Sequence, residues 1–399
     1  MRVLLHDDEV HLRTTALAQA LLEELDESPP EPAPALVGMY GHVIQPAAAA
    51  VPAGQRRADE VSLLFREHEE PGVSRGEYGE RGIVVTGSDL DAARKPERAH
   101  AVAVPFAELA DVHDRILPAM ATARIGRYQV DIFSDGIFKL DGGQMFGVVP
   151  KVFWQKHKTP DEQNRISMDM SCLLIRDTDG HVVVVETGAG PKLTPRQREI
   201  WGIERPPALL DELKTRGVRP DEVTLVVNTH LHFDHSGGNT YRDGERVVAA
   251  FPRASYVFQR LEWADAMAPN ERTRASYLPD DFGPLEAAGR LELVDDAVEL
   301  LPGLRLDRIQ GHTRGTQTVR ITGGGETLFF SSDFMPDRHH LPLPWITAFD
   351  LYPLDTLEAK RAILARAVDE RWLVAFTHDV PRFGRLTQRD GRLQYDEVD

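Results

Sequence analysis

From about residue 124 onward, short apolar runs alternate with polar segments in the spacing of a compact α/β domain. Two turn signals, Asp135-Gly136 and Asp177-Thr-Asp-Gly180, each lie between two such runs and predict hairpins. Apolar or alternating runs predict strands at residues 128–133, 137–140, 170–175, 182–185, 223–227, 254–258, 291–294, 304–309, 318–322, 327–330 and 372–376. Helical spacing predicts helices at residues 206–216, 261–267 and 357–368. Mixed strands with helices between them predict sheets faced by helices, and an αββα sandwich is one solution.

Residues 1–122 differ in character from the rest of the chain. Prolines and a run of alanines occupy residues 27–34 and 46–54, and such stretches supply little material for a core. The remaining pattern predicts strands at residues 1–5, 82–87 and 101–105 and helices at residues 10–25 and 106–120. We therefore expect an N-terminal appendage at residues 1–122, α/β or partly irregular and of unknown role, followed by the main domain at residues 123–399.

Composition narrows the class of protein. The chain has 399 residues, 42% of them hydrophobic, and a formal net charge of −17. Such an acidic surface argues against nucleic acid and against acidic membrane surfaces as partners. The single cysteine, Cys172, lies in an apolar run and is expected to be a core residue. No apolar run approaches the ~20 residues of a membrane span, and the first residues do not resemble a secretory signal, so we expect a cytoplasmic protein.

The strongest chemical signal is the stretch Thr229-His-Leu-His-Phe-Asp-His-Ser-Gly-Gly-Asn239, directly after the apolar run at residues 223–227. It holds four side chains able to bind a metal: His230, His232, Asp234 and His235. Imidazole and carboxylate ligands suit zinc, and also iron or manganese. This stretch therefore predicts a metal site at the end of a buried strand.

Three further residues with metal-binding side chains follow later strands. They are His312, Asp333 and His378. Each alone has an ordinary interpretation as a turn residue, but the ends of strands on one side of a sheet are where ligand sites assemble. Their shared placement favours one composite site.

On this ordered set of seven residues the chain resembles the metallo-β-lactamase-fold superfamily of metallohydrolases, over about residues 124–379. The resemblance implies a metallo-β-lactamase-type αββα sandwich with two divalent cations, zinc first and manganese or iron as alternatives. It implies that His230, His232 and His312 hold the first cation. It also implies that Asp234, His235 and His378 hold the second, with Asp333 bridging both. Glu186, in Glu186-Thr-Gly188, stands where the family has Asp, which leaves that residue's loop-bracing role open.

The resemblance further implies hydrolysis by a metal-bound hydroxide, with Asp333 setting the separation of the cations and Asp234 giving a proton to the leaving group. The lactonase, carboxylesterase and organophosphate hydrolase branch fits best, so we expect cleavage of a small ester or lactone. One alternative is phosphoester or phosphotriester hydrolysis at the same centre. The alternative from another class is a non-catalytic, metal-binding regulatory module.

A Gly-rich, apolar segment at residues 141–154 is the candidate substrate wall. In that branch an equivalent segment forms a lid or a dimer contact, so the resemblance also allows a homodimer. The candidate wall residues are Met145, Phe146, Phe153, Trp154 and Trp345. Packing of the same residues in the core is an equally good interpretation of the pattern. We expect His339 and His340, which follow Asp333, to be exposed or to support the site from outside the ligand set.

Overall fold

The computed structural model describes residues 42–46, 63–67, 121–204 and 208–398. The chain divides into two units, Met1–Pro118 and Ala119–Asp399. In the first unit, strand β1 (His42–Pro46) pairs antiparallel with strand β2 (Leu63–Glu67).

None of the elements predicted for the N-terminal appendage can be compared with the structure. The described residues do not include those predicted at residues 1–5, 10–25, 82–87, 101–105 and 106–120. The boundary at residue 122 and the role of this segment stay predictions.

The second unit consists of two seven-stranded sheets, a small hairpin and short helices. The strands are β3 (Ala121–Ile125), β4 (Tyr128–Asp141), β5 (Arg165–Arg176), β6 (Val182–Val185), β7 (Leu225–Val227), β8 (Thr240–Asp243), β9 (Arg246–Ala249), β10 (Ser255–Gln259), β11 (Leu291–Val294), β12 (Val298–Leu301), β13 (Leu304–Arg308), β14 (Gln317–Gly323), β15 (Glu326–Phe330), β16 (Leu373–Ala375), β17 (Phe383–Arg389) and β18 (Arg392–Val398). The helices are α1 (Gly142–Phe146), α2 (Lys151–Trp154), α3 (Pro195–Ile200), α4 (Leu209–Thr215), α5 (Phe233–Ser236), α6 (Arg260–Met267), α7 (Gly283–Ala287) and α8 (Pro353–Asp369).

The two large sheets differ in strand direction. The first has the order β11-β10-β7-β6-β5-β4-β3; strands β6, β7, β10 and β11 are parallel and the remaining pairs antiparallel. The second has the order β12-β13-β14-β15-β16-β17-β18, in which only β15 and β16 run parallel. Strands β8 and β9 form the separate hairpin.

Strand β5 shows why the two large sheets pack face to face and why helices cover their outer faces. Residues 172–175 of this strand are apolar in succession, and successive side chains of a strand point to opposite faces. Leu173 and Ile175 join the apolar layer shared with the second sheet, where they pack with residues such as Leu306. Cys172 and Leu174 join the opposite layer, which the helices α4, α6 and α7 cover. Helix α8 packs on the outer face of the second sheet, so the predicted αββα sandwich is confirmed.

One of the two predicted hairpins is wrong. The turn at residues 177–180 joins the antiparallel strands β5 and β6 as predicted, but Asp135-Gly136 lies within the single 14-residue strand β4, where the pairing register shifts between Ser134 and Ile137. The Asp135 carboxylate is buried and accepts hydrogen bonds from the backbone N–H groups of Ala208 and Leu209, at the start of α4. Asp135-Gly136 is therefore a bulge within β4, and it places the Asp135 carboxylate where it caps the N-terminus of α4.

The Gly-rich, apolar segment at residues 141–154 contains the two short helices α1 and α2. Among the described residues, none of the helices combines the length and the apolar character needed to cross a lipid bilayer.

Candidate metal centre

The central loop leaves the buried strand β7 and carries two histidines before the single-turn helix α5. His230 and His232 lie on the loop, and Asp234 and His235 lie on α5. The hydroxyl of Ser236 donates to the carbonyl of His232 at 3.0 Å and closes the turn. All of these residues except His232 are buried, so the sequence places polar side chains at the end of an apolar strand, inside the protein.

Three histidines converge with their ring nitrogens and are called here the first group: His230, His232 and His312. His230 Nε2 lies 3.0 Å from His232 Nδ1, and His312 Nε2 lies 3.1 Å from the same Nδ1. Ligand nitrogens around a tetrahedral zinc ion are roughly 3.3 Å apart, given Zn–N bonds of about 2.0–2.1 Å. The spacing of the first group fits one such cation.

A second group consists of Asp234, His235 and His378. The Asp234 Oδ2 atom lies 3.6 Å from His235 Nε2 and 3.5 Å from His378 Nε2. One carboxylate oxygen and two imidazole nitrogens thus face a common point, and both histidines are fully buried.

Asp333 lies between the two groups, in the turn after β15. Its Oδ1 atom is 3.3 Å from His235 Nε2 and 3.1 Å from His378 Nε2. Its Oδ2 atom is 3.5 Å from His312 Nε2 and 4.0 Å from His230 Nε2. The two oxygens of one carboxylate therefore face different groups.

Unsatisfied polar atoms indicate what the two groups could hold. Among the described residues, both ring nitrogens of His235 and the Oδ1 atom of Asp333 are buried without a hydrogen-bond partner. Such atoms are costly to bury unless an ion or another partner completes them. Imidazole and carboxylate donors around them fit two divalent cations.

The pKa shifts of the site histidines differ in direction, because some rings face mainly other imidazoles and others face carboxylates. Burial and the neighbouring imidazoles lower the pKa of His230 and His232 well below its usual value, so both rings are neutral and keep a lone pair. Burial also opposes a charge on His235, but the carboxylates of Asp333 and Asp234 raise its pKa well above the usual value. For Asp333 burial raises the pKa, but the imidazoles of the second group outweigh it, and the pKa lies well below its usual value.

The outer nitrogens of two site histidines have acceptors that fix the orientation of the rings. His312 Nδ1 lies 3.2 Å from Asp350 Oδ1, and His378 Nδ1 lies 2.7 Å from the carbonyl oxygen of Asp169. His235 Nδ1 lies 3.3 Å from Glu186 Oε1, within ion-pair distance, although the two atoms form no hydrogen bond. Sequence reasoning assigned none of these supporting roles, because nothing local in the sequence indicates contacts between such distant positions.

Glu186 braces the central loop although it replaces the family's Asp. Its carboxylate accepts a hydrogen bond from the Thr229 hydroxyl and lies 3.2 Å from the Thr229 backbone nitrogen. The amide of Asn228 donates to the other carboxylate oxygen at 3.4 Å. Glu186 has φ of 62°, a backbone conformation that is uncommon for residues other than glycine.

Four of the five candidate wall residues belong to one packed cluster. Met145, Phe146 and Trp154 are buried, and Phe146 stacks on Trp154 with ring centroids 5.4 Å apart. Trp345 is half-buried and meets Phe146 edge-on. Phe153 is 53% exposed. Their role as a substrate wall stays a prediction.

His339 and His340 lie outside both groups. His340 is buried between Asp337 Oδ1, 2.7 Å from its Nδ1, and the carbonyl oxygen of Met145, 2.9 Å from its Nε2. His339 stacks on His157. His340 thereby fixes α1 to the turn that follows Asp333.

Comparison with known proteins identifies the family to which the chain is similar. The sequence model of the metallo-beta-lactamase superfamily matches residues 170–378. An N-acyl homoserine lactonase of Bacillus sp is 24% identical over 199 residues, which are 49% of this chain and 68% of that protein. A probable metal-dependent hydrolase from Staphylococcus aureus has a similar structure, with a TM-score of 0.64 and 28% identity, and the match covers 69% of this chain and 99% of that chain. AidC, a dizinc quorum-quenching lactonase, has a TM-score of 0.59 at 19% identity, covering 71% and 98%.

The names of these relatives are those of hydrolases, which confirms the predicted class of enzyme. The similarity to AidC shows the fold alone. The match to the superfamily model extends over slightly more than half of the chain and contains the central loop, both groups and Asp333. The chain therefore belongs to the metallo-beta-lactamase superfamily.

Proposed function

We propose that this protein is a hydrolase with two metal ions that cleaves a small ester or lactone. The observation that carries the proposal is the position of Asp333, whose two oxygens face the first and the second group at 3.1–4.0 Å. A single carboxylate shared by two sets of nitrogen donors is suited to holding two cations a fixed distance apart. A site for one structural ion would close with four ligands and needs no such shared group.

The side chains of the site would each have a defined role in the proposed hydrolysis. Two divalent cations, when bound, supply Lewis acidity and lower the pKa of a water molecule at the site. The six side chains of the two groups would hold the cations, and Asp333 would contact both of them. Asp234, on the single-turn helix α5, would hand a proton to the leaving oxygen as the ester bond breaks.

The surroundings favour a neutral, fairly apolar substrate. Phe138 packs edge-on against His378, with ring centroids 5.4 Å apart, and Tyr277 lies 4.9 Å from His232. The net charge of −17 disfavours polyanionic substrates. The Bacillus relative is named an N-acyl homoserine lactonase, so a lactone that carries an apolar acyl chain is the first substrate to test.

We propose zinc as the first choice for both cations, because three imidazoles suit zinc, with manganese or iron as alternatives. The test is elemental analysis of the purified protein, followed by a panel of N-acyl lactones, aryl esters and phosphotriesters assayed after addition of zinc or manganese. The expected result is about two metal equivalents per chain, with turnover of lactones or aryl esters.

Two results would overturn parts of this proposal. About two metal equivalents with no hydrolysis of any substrate would favour the non-catalytic, metal-binding regulatory module. Two equivalents with turnover of phosphotriesters alone would keep the metal centre and replace the substrate class.

A further inference from the structure

The buried carboxylate of Glu262 takes no part in the proposed reaction. Glu262 lies in the first turn of α6 and is 1% exposed. Within residues 121–204 and 208–398, no lysine or arginine forms an ion pair with it. A carboxylate without a cationic partner is costly to bury, so its hydrogen bonds must offset much of that cost.

Those hydrogen bonds reach both loops of the first group. The backbone N–H of Leu231, the residue between His230 and His232, donates to Glu262 Oε1 at 2.9 Å. The hydroxyl of Thr313, the residue after His312, donates to Oε2 at 2.5 Å. One carboxylate therefore ties together the two loops that supply all three imidazoles.

Other contacts make this connection rigid. The hydroxyl of Tyr277 donates to Glu262 Oε1 at 3.0 Å. The backbone N–H of Thr313 donates to the hydroxyl of Thr316 at 2.9 Å and closes the turn that carries His312. At Gly315 a β-carbon would collide with the backbone of Glu262, so this turn packs directly on the start of α6.

We infer that Glu262 is a positioning residue of the first group: it holds the two loops together so that the nitrogens of His230, His232 and His312 converge on one cation. The inference rests on the proposed metal binding and adds a residue that touches neither the cations nor the substrate. Without Glu262, the N–H of Leu231 and the hydroxyl of Thr313 would lose a shared acceptor, and the two loops could separate.

The test is a titration of the metal-free, full-length protein with Co(II) against a competing chelator, which counts the equivalents and gives the affinity of each. Glu262→Ala should weaken one equivalent by tenfold or more and leave the other within about threefold, as expected for loss of a group that supports metal ligands. Glu262→Gln keeps an acceptor for Leu231, and its amide can donate to Thr313, so it should restore the affinity to within about threefold.

A matched control is Asp131→Asn, which alters another buried carboxylate, 3% exposed and paired with Arg176 on the antiparallel side of the first sheet. This variant should keep both equivalents. Repeating Glu262→Ala in a His312→Ala background identifies the group concerned: because the first group is already broken there, Glu262→Ala should change the remaining affinity no further.

The outcomes separate the inference from the proposed function. The positioning role would be overturned if Glu262→Ala left both affinities unchanged. It would also be overturned if this variant weakened both equivalents equally and Asp131→Asn had the same effect. Failure of the wild-type protein to bind Co(II) would instead overturn the proposed function. If Glu262→Ala does not fold, Thr313→Val removes the link from Glu262 to the His312 loop, together with the hydroxyl contact between Thr313 and Thr316, and should selectively weaken the same equivalent. Unchanged binding in that variant would equally overturn the role.

Discussion

At the scale of single residues, Asp333 has the most exacting position, because its two oxygens serve two different groups. Asp333→Ala should weaken the second metal equivalent and lower kcat/KM together, the latter by roughly a hundredfold or more, because the two-cation geometry is lost. Metal content after dialysis and hydrolysis of an aryl ester or lactone would measure both. Asp307→Ala, which removes a carboxylate paired with Arg320, is the control and should retain both properties. Full activity in Asp333→Ala would rule out the bridging role.

Asp350 offers a second test at this scale. Its Oδ1 atom lies 3.2 Å from His312 Nδ1 and also accepts from the hydroxyl of Thr347 at 2.8 Å. Asp350→Ala should weaken the equivalent bound by the first group by about ten- to a hundredfold, the usual effect of losing a group that orients a ligating imidazole. Chelator competition measures the loss. Thr347→Val, which keeps the contact with His312, should change the affinity far less; equal losses in both variants would contradict the orienting role.

The sequence predicted the candidate ligands better than the residues that support them. His230, His232, Asp234 and His235 lie in one short stretch after a strand, so their common purpose is visible in local spacing. Asp350 is 38 positions from His312, and an isolated aspartate resembles any turn residue. Supporting contacts of this kind form only when distant loops meet, which local spacing does not encode.

At the scale of elements, helix α8 fixes the loop that follows Asp333. Lys360 is fully buried on α8, and its ammonium group donates to the carbonyl oxygens of Pro342 and Trp345 at 2.9 and 2.8 Å. Burial lowers its pKa to about 7, opposed by the more distant carboxylates of Asp350 and Asp337. The helix therefore connects to the loop through a group whose charge depends on pH.

This shift predicts how stability varies with pH. The pKa of Lys360 is about 7 in the folded state and about 10.4 in the unfolded state. Between these values the unfolded state binds more protons, so the free energy of unfolding rises with pH. Relative to Lys360→Met, the wild-type protein should gain about 3 kcal/mol between pH 7 and 9.5, measured by urea unfolding at both pH values.

The comparison needs a control for other groups that titrate in this range. Lys214→Met removes an exposed lysine at the end of α4, and its pH profile should match that of the wild-type protein. A difference between wild type and Lys360→Met that stays constant with pH would show that the buried lysine keeps its proton.

The prediction of secondary structure failed at Asp135-Gly136, where a polar side chain contacts an element that is distant in the sequence. The pair Asp135-Gly136 has the composition of a hairpin turn, but the Asp135 carboxylate caps α4 from within β4, and the strand continues through a bulge. By contrast, the mostly apolar run at residues 170–175 correctly predicted a buried strand, because both faces of β5 are covered. The pattern of apolar residues thus predicted the αββα sandwich. It could not predict contacts of polar side chains between elements that are distant in the sequence.

At the scale of the whole molecule, the site joins the two sheets. The central loop follows β7 of the first sheet, whereas His312, Asp333 and His378 follow β13, β15 and β16 of the second. Cations that bind both sets of side chains would therefore bind the folded sandwich and not the separated sheets. Metal binding and the stability of the second unit should accordingly be coupled.

The last prediction measures that coupling. Each cation at a hundred times its dissociation constant adds about 2.7 kcal/mol to the free energy of unfolding, which corresponds to a rise in Tm of about 5 °C for a unit of this size. Removal of metal with a chelator should lower the Tm by that amount for each equivalent, and zinc should restore it. Asp333→Ala is expected to hold only the first equivalent firmly, so zinc should raise the Tm of this variant by the amount expected for one cation. Identical Tm values with and without metal would mean that the two groups bind no cation in the folded state, because ligands that bind only the native state cannot leave its stability unchanged.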